Sequence, residues 1–508
     1  MSTSAQNRHQ PPGAAAIAGG REVIDRQCLT ATWLCGVAAL LCAVSGCAVG
    51  PNFHRPPAPA ATHYSHGEDP AATASAQGTA QQFNPGAAVA ADWWALFRSP
   101  QLDAVIKEAI GNNPGLAAAA ANLHASQNDL RSGYGIFYPT INADAAASRE
   151  RFAPVSLGEK APSSVFNLFT LSASVSYALD VFGGQRRLVE GLRAEVDVAH
   201  ANERATYLAL AANVVNTVVA AAAYRAEIEA TQQLIELQKE QVGLAKVQEE
   251  AGTVPYANVL TLQSQLASYE ATIPQLKLKL DQSEDLLAAL AGHPPAEWQA
   301  PPVRLADLTL PGALPVSLPS DLVRQRPDIL AAEATAHAAS ANIGVATAAL
   351  LPGITLNGSY ERLTNTTASL FPSNGKAWSV GASATAPLFE GGTLWFKRKA
   401  AINQYDQAMA LYRQTVLGAF EQVADALHAL DHDAAALLAQ DQALAAAAEA
   451  LRLVQIDYEA GIATYLNVLI ADTQFHQATI ADLQAIAVRY QDTVALFAAL
   501  GGGWWNAQ

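Results

Sequence analysis

Glu250-Ala251-Gly252-Thr253-Val254-Pro255-Tyr256-Ala257-Asn258-Val259-Leu260 returns 209 residues later as Glu459-Ala460-Gly461-Ile462-Ala463-Thr464-Tyr465-Leu466-Asn467-Val468-Leu469. Glu, Ala, Gly, Tyr, Asn, Val and Leu recur in place. Three further matches keep the same order at nearly the same offset. Tyr138-Pro139-Thr140-Ile141 answers Leu351-Pro352-Gly353-Ile354, and Phe182-Gly183-Gly184 answers Phe389-Glu390-Gly391-Gly392. Leu286-Leu287-Ala288-Ala289-Leu290-Ala291-Gly292 answers Leu496-Phe497-Ala498-Ala499-Leu500-Gly501-Gly502. Ordered matches of this kind make the chain a tandem repeat, which decides architecture before any local reading. The Pro-rich stretch His293–Pro319 between the copies reads as an extended connection.

Each copy switches from period two to helical stretches. Phe169, Leu171, Ala173, Val175, Tyr177 and Leu179 alternate with Thr170, Ser172, Ser174 and Ser176. Ile141, Ala143, Ala145 and Ala147 alternate more weakly with Asn142, Asp144 and Ser148. The second copy repeats both runs, from Ile354 to Glu361 and from Trp378 to Ala386. One apolar face and one hydroxyl face mean strands with different solvents on their two sides. Two hairpins result, 138–182 and 351–390, with strands of about ten residues, the length that crosses a bilayer when tilted. A soluble β-sandwich is the alternative, but four isolated strands make a poor one.

No proline interrupts Gln185–Glu250 or Thr393–Ala460, so each predicts a helix of about 100 Å at ~1.5 Å per residue. Shorter partners are predicted at about 256–291 and 465–500, with further helices at about 101–134 and 321–350. Pro274 predicts a kink or break in the first short partner. Helices this long belong to coiled coils, where alanine lets axes approach closely. Gly252 and Gly461 suit the left-handed residue that ends a helix.

Thirty Lys and Arg stand against 45 Asp and Glu, a net charge of -15, with only 15% charged residues, 51% apolar and 7% aromatic. This excludes a disordered chain and argues against a nucleic-acid binder. Only one stretch, near the N-terminus, approaches the ~18 apolar residues of a spanning helix. There Arg21 and Arg26 precede an apolar run from Leu29 to Val44, then Ser45-Gly46-Cys47. The pattern predicts a secretory signal over 1–46 ending in a lipobox, with Cys47 acylated. A retained signal anchor is the alternative. The true start is expected to lie further in than Met1. The four cysteines are Cys28, Cys35, Cys42 and Cys47, so cleavage would leave no disulfide or thiolate metal site.

Four strands cannot close a barrel, and open strand edges cannot face lipid. Chains must therefore pool strands: two would give eight, three would give twelve. The expected fold is mainly α, with a long coiled-coil helical tunnel, a shared transmembrane β-barrel and an internal two-fold repeat. The expected divisions are 47–100, 101–292, 293–320, 321–502 and a tail 503–508.

Catalysis finds no motif: there is no Walker loop, HExxH or GxSxG. His428 and His432, at i and i+4, lack a third ligand nearby and read as a solvated helix face rather than a metal site. His54, His63 and His66 read as loop residues. Asp180 with Arg186 and Arg187 reads as an ion-pair cluster orienting a strand-to-helix switch. No enzyme, cofactor or metal is expected.

A family resemblance gathers these motifs. Cys47-Ala48-Val49-Gly50-Pro51-Asn52-Phe53, Asp92-Trp93-Trp94-Ala95-Leu96-Phe97 and Leu179-Asp180-Val181-Phe182-Gly183-Gly184 resemble TolC-like outer-membrane efflux proteins of the NodT-type lipoprotein branch. So do Pro387-Leu388-Phe389-Glu390-Gly391-Gly392, Tyr458-Glu459-Ala460-Gly461 and Ala499-Leu500-Gly501-Gly502-Gly503-Trp504. The resemblance spans Cys47 to Trp505. It implies a homotrimer with a twelve-stranded barrel carrying Tyr177 and Trp378, a periplasmic tunnel, and an equatorial domain built from the N-terminal segment, the connection and the tail. It implies a lipid anchor at Cys47 in the outer membrane, which Ala48 rather than Asp at the next position fits. It also implies two partners, a periplasmic adaptor (membrane fusion protein) and an inner-membrane RND-type transporter.

The resemblance further implies an iris of carboxylate and apolar rings after Gly461. Tyr458, Gly461, Tyr465 and Leu466 match that motif; Gly252 and Tyr256 are their repeat equivalents at the tip of the first copy. Asn467 and Ile470 stand where relatives often hold Asp. Asp472 is the nearest carboxylate, read equally as a negative ring or as a residue facing solvent. Leu466 and Ile470 suit an apolar ring, or coiled-coil core. The function implied is a passive, gated export duct for small molecules. A protein-export channel of type I secretion and a free-standing diffusion porin are the alternatives.

Overall fold

The computed structural model describes residues 48–67, 69–153, 162–372 and 375–506. Cys47 and the expected signal lie outside the described residues. The first half holds β1 (Gln82–Pro85), α1 (Pro100–Asn112), α2 (Pro114–Gly133), β2 (Thr140–Phe152), β3 (Ser164–Leu179), α3 (Gly184–Glu250) and α4 (Tyr256–Leu290). The second holds β4 (Ala313–Val316), α5 (Pro319–Gln325), α6 (Pro327–Ala348), β5 (Gly353–Thr364), β6 (Lys376–Thr385), α7 (Thr393–Glu459) and α8 (Tyr465–Ala499). The chain divides into two units.

The first unit comprises Gly133–Glu190 and Ala341–Ala401, with the segment ending at Asn52. Its sheet is antiparallel in the order β2-β3-β5-β6, leaving one edge of β2 and one of β6 unpaired among the described residues. Register lines up faces: Asn142, Ser174, Ser359 and Ser379 form one row, and Ile141, Val175, Gly358 and Val380 the next. Ser359 and Ser379 hydroxyls meet at 2.8 Å, and Ser176 donates to Asn357 Oδ1 at 3.1 Å. Because side chains alternate across a strand, the neighbouring rows put apolar groups on the opposite face. Val380, Trp378 and Ile141 are each more than two-thirds exposed there. Tyr177 pairs with Leu356 and is half-buried, while Trp378 pairs with Tyr360.

The second unit comprises Phe53–Ser132, Gly191–Ser340 and Ile402–Gln508, and holds the main core. Trp93 stacks on Phe497 with centroids 5.2 Å apart, and Tyr490 donates to Leu308 O at 2.7 Å. β1 pairs in parallel with β4, so the connection between the copies is not merely extended. Buried Arg489 donates to Ala76 O, Thr79 O, Thr73 Oγ1 and Gln81 Oε1, fastening the segment before β1. Buried Arg326 donates to Ala499 O at 3.0 Å, satisfying a carbonyl left over at the end of α8, and forks onto Asp328.

Several helical expectations need correction. The helix expected at 101–134 is two, because Asn113 caps the first and its Oδ1 accepts the N–H of Leu116 at the start of the second, with Pro114 between them. The one expected at 321–350 divides at Arg326, which is held extended before Pro327. Conversely, α4 runs through Pro274 without a break. Pro274 and Glu270, whose carbonyl loses its donor, are both exposed, so that carbonyl is open to solvent. A second apolar stretch besides the N-terminal one lies in α3, with a mean hydropathy of 1.5 over eighteen residues. Val214, Val215, Val218 and Val219 of that helix belong to the core.

Candidate functional site at the helical tips

Both long helices end by the same device. Gly252 and Gly461 hold φ of +71° and +75°. In the first turn Gly252 N–H bonds Glu249 O and Thr253 N–H bonds Gln248 O. In the second, Gly461 N–H bonds Tyr458 O and Ile462 N–H bonds Asp457 O. This paired pattern satisfies carbonyls that a helix end orphans, and it needs a residue without a Cβ penalty. The next helix then starts at Tyr256 in one copy and at Tyr465 in the other.

The two tips are tied by tyrosines. Tyr458 on α7 donates to Gln248 Oε1 at 3.1 Å, and Tyr465 on α8 donates to Gln241 Oε1 at 3.0 Å. The glutamines are seven residues apart on α3, two turns along one face. The tyrosine rings meet edge to face at 5.6 Å. Beneath them Val242, Ala245, Val259 and Leu262 form a small core, with Tyr465 and Leu469 packed against it. A shallow cleft of about 190 Å³ lies over these residues.

The remaining expected residues fall in three places. Leu466, Ile470 and Tyr256 are 59%, 50% and 58% exposed, so they project from the tips rather than into a core of this chain. Asn467 accepts from the Thr464 hydroxyl at 2.8 Å, which closes the first turn of α8. Asp472 is a correction to both readings of it: at 2% exposure it neither faces solvent nor presents a charge to a lumen. Its Oδ2 has no partner among the described residues, and burial raises its carboxyl to about 6. Burial also pushes the Tyr465 hydroxyl up, with Asp472 and then Tyr458 adding to it, and holds His476 below its ordinary value.

Sequence reasoning missed the glutamines, although their seven-residue spacing was the available signal. It also missed Gln238, fully buried with neither amide atom partnered among the described residues. Gln238 sits one turn from Gln241 on the same face. Thus α3 presents a run of amides where a coiled coil ordinarily presents aliphatics, and polar groups there set register at a cost in stability.

The expected Asp180 cluster separates. Asp180 accepts the backbone N–H groups of Gln185 and Arg186, both at 3.0 Å, and pairs with Arg186 at 3.1 Å, which caps α3. Arg187 does not join it. It donates to Val49 O, Gly50 O and Asn52 Oδ1 and pairs with Glu190 at 2.7 Å. The rings of His428 and His432 stack at 6.3 Å, and no group of three metal-ligating side chains occurs among the described residues.

Comparison with known proteins gives a consistent picture. The sequence profile of the outer membrane efflux protein family matches twice, over residues 105–293 and 318–502. Outer membrane protein OprJ of Pseudomonas aeruginosa is 30% identical over 485 residues, 92% of this chain and 96% of OprJ. The pyoverdine export outer membrane protein OpmQ of Pseudomonas putida is 29% identical over 420 residues, 81% and 88% of the two chains. The solved structure of the outer-membrane channel OprN superposes with a TM-score of 0.81 at 27% identity, covering 90% of this chain and all of that one.

Proposed function

The chain belongs to the outer membrane efflux protein family, and on that premise we propose that it is the outer-membrane duct of an efflux system, a passive channel with a gate at the helical tips. It resides in the outer membrane and acts in efflux. Three copies would close one twelve-stranded barrel, each giving β2, β3, β5 and β6. The observation that carries this reading is the sheet: one hydroxyl face, one exposed apolar face, and unpaired edges on β2 and β6. Unpaired backbone groups cannot remain in lipid, and pairing edge to edge around a ring removes them.

Energy for export comes from the partners in this reading, an RND-type inner-membrane transporter joined through a periplasmic adaptor. The duct supplies a water-filled path for small molecules. Its gate would be an apolar ring from Leu466 and Ile470, held in place by the Tyr458–Gln248 and Tyr465–Gln241 bonds. Asp472 supplies no charge to that ring. The N-terminal segment would carry the acylated Cys47.

Single-channel conductance of the purified protein in planar bilayers tests this reading. Low wild-type conductance that rises sharply with Leu466→Ser is expected. Large, steady wild-type conductance would remove the gate and favour a diffusion porin.

A further inference from the structure

The order strand, strand, helix, helix occurs twice, as β2–β3–α3–α4 and β5–β6–α7–α8. The long helices have 67 residues each, and the shorter ones 35 each. Within one chain, the junction between β3 and α3 meets the end of α6, which leads into β5. A Cβ on Gly184 would lie 2.8 Å from Ala348 Cβ, and one on Gly344 would lie 2.6 Å from Arg187 Cγ. Val181 and Phe182 line one side of a cleft of about 530 Å³, with Val345, Ala348 and Leu351 among its other walls. Both Val181 and Phe182 are half-buried.

The equivalent junction in the second copy has no such cover among the described residues. Leu388 is 95% exposed and Phe389 is 90% exposed, and Trp395 and Phe396 just beyond are also exposed. The backbone shares one feature with the first junction, since Gly183 and Gly391 both hold positive φ, at +78° and +60°; the second junction differs by the inserted Glu390 and by a further positive φ of +87° at Gly392. A patch this apolar on a folded chain marks an interaction surface. Its counterpart stands at the other edge of the sheet. The turn after α2, leading into β2, exposes Ile136 and Tyr138. By the sequence match of the two copies, Tyr138-Pro139 corresponds to Leu351-Pro352, which places Gly135 opposite Ala348.

We propose that Leu388 and Phe389 of one copy seat against Gly135, Ile136 and Tyr138 of the next copy. Between chains this reproduces the arrangement of Val181 and Phe182 beside Ala348 and Leu351 within one chain. The proposal rests on the homo-oligomeric reading above and names its contact below the sheet. A second copy is the occupant because it offers the repeat-equivalent of a surface that already receives the same motif. Pairing β6 of one copy with β2 of the next brings the two patches side by side. A Cβ on Gly135 would meet nothing within 4 Å, so the space that Ala348 fills in the internal contact stays open for Gly392 of the incoming chain. The interface is heterologous, one patch given and a different one received, which excludes a two-fold pair and forms a ring when the rotation between copies closes, as a shared barrel requires.

Cysteine cross-linking tests it. The full-length protein carrying both Tyr138→Cys and Phe389→Cys is extracted in mild detergent and treated with a short bis-maleimide. A ladder of covalent dimer and higher species on a denaturing gel is expected, absent from either single substitution. Phe182→Cys with Leu351→Cys serves as the internal control and should link without raising the mass. An oligomeric native mass without the ladder overturns the proposed contact and leaves the homo-oligomer standing. A monomeric native mass for the unsubstituted protein overturns both.

Discussion

The Tyr458 hydroxyl bonds Gln248 Oε1 at 3.1 Å, tying the last turn of one 67-residue helix to the last turn of the other. The second tie, Tyr465 to Gln241, lies two turns up α3. Each bond is part-buried, so each contributes about 0.5–1.5 kcal/mol. Tyr458→Phe is expected to raise the open probability of the channel in planar bilayers, and Tyr458→Phe with Tyr465→Phe to raise it further. Unchanged gating in the double variant would show that the tips are held elsewhere.

The tip glycines isolate a backbone effect. A Cβ at Gly252 or Gly461 would meet nothing within 4 Å, while both residues hold left-handed φ. Alanine there should therefore cost about 1–2 kcal/mol from conformation alone. Urea unfolding with an unchanged m-value would register it. A cost well above that range would mean the turn is packed by another molecule.

Buried carboxyls give stability a defined pH slope. Asp472 is raised by burial to about 6, above the ~3.9 of an unfolded chain. The stability it confers is present below pH ~4 and lost as pH rises through about 6. Asp492, beside Asp433, and Asp482, beside Asp441, are pushed the same way, by burial first and by the facing carboxyl second. The midpoint of thermal unfolding should fall from pH 5 to pH 8. Asp472→Asn should gain about 1–1.5 kcal/mol on the wild type from pH 5 to pH 8, the share of the loss that falls between pH 5 and the raised value. Parallel pH profiles for the two proteins would refute the assignment.

Arg187 clamps the segment after Cys47. It is 4% exposed and spends its donors on Val49 O, Gly50 O, Asn52 Oδ1 and Glu190. Val49 N–H adds a bond to Phe182 O at 2.9 Å. The fit is close, since a Cβ on Gly183 would stand 2.5 Å from Ala48 Cα. Arg187→Ala should cost about 2–4 kcal/mol and expose residues 48–52 to limited proteolysis. Arg187→Lys should not rescue it, because one ammonium cannot reproduce the fork. Equal protease resistance in Arg187→Ala and the wild type would show that the clamp is dispensable.

The duplication, the period-two strands, the two long helices and the glycine turns between helices are legible in the order of residues alone. Each is written in local order: Ser and Thr alternating with apolar residues from Phe169 to Leu179, the absence of proline from Gln185 to Glu250, and a glycine where the helix must end. Long-range packing sets how the strands register, which is why Ser174 meets Ser359 and why β2 and β6 are left as edges. It also decides that β1 pairs with β4 more than two hundred residues away, that Arg187 leaves Asp180 for the backbone of Val49 and Gly50, and that Asp472 is buried. The physical reason is common to all of these. Periodicity and turn chemistry depend on neighbours along the chain, whereas the partner and burial of a polar side chain depend on which distant element comes to lie beside it. One arginine or aspartate letter reads the same for either outcome.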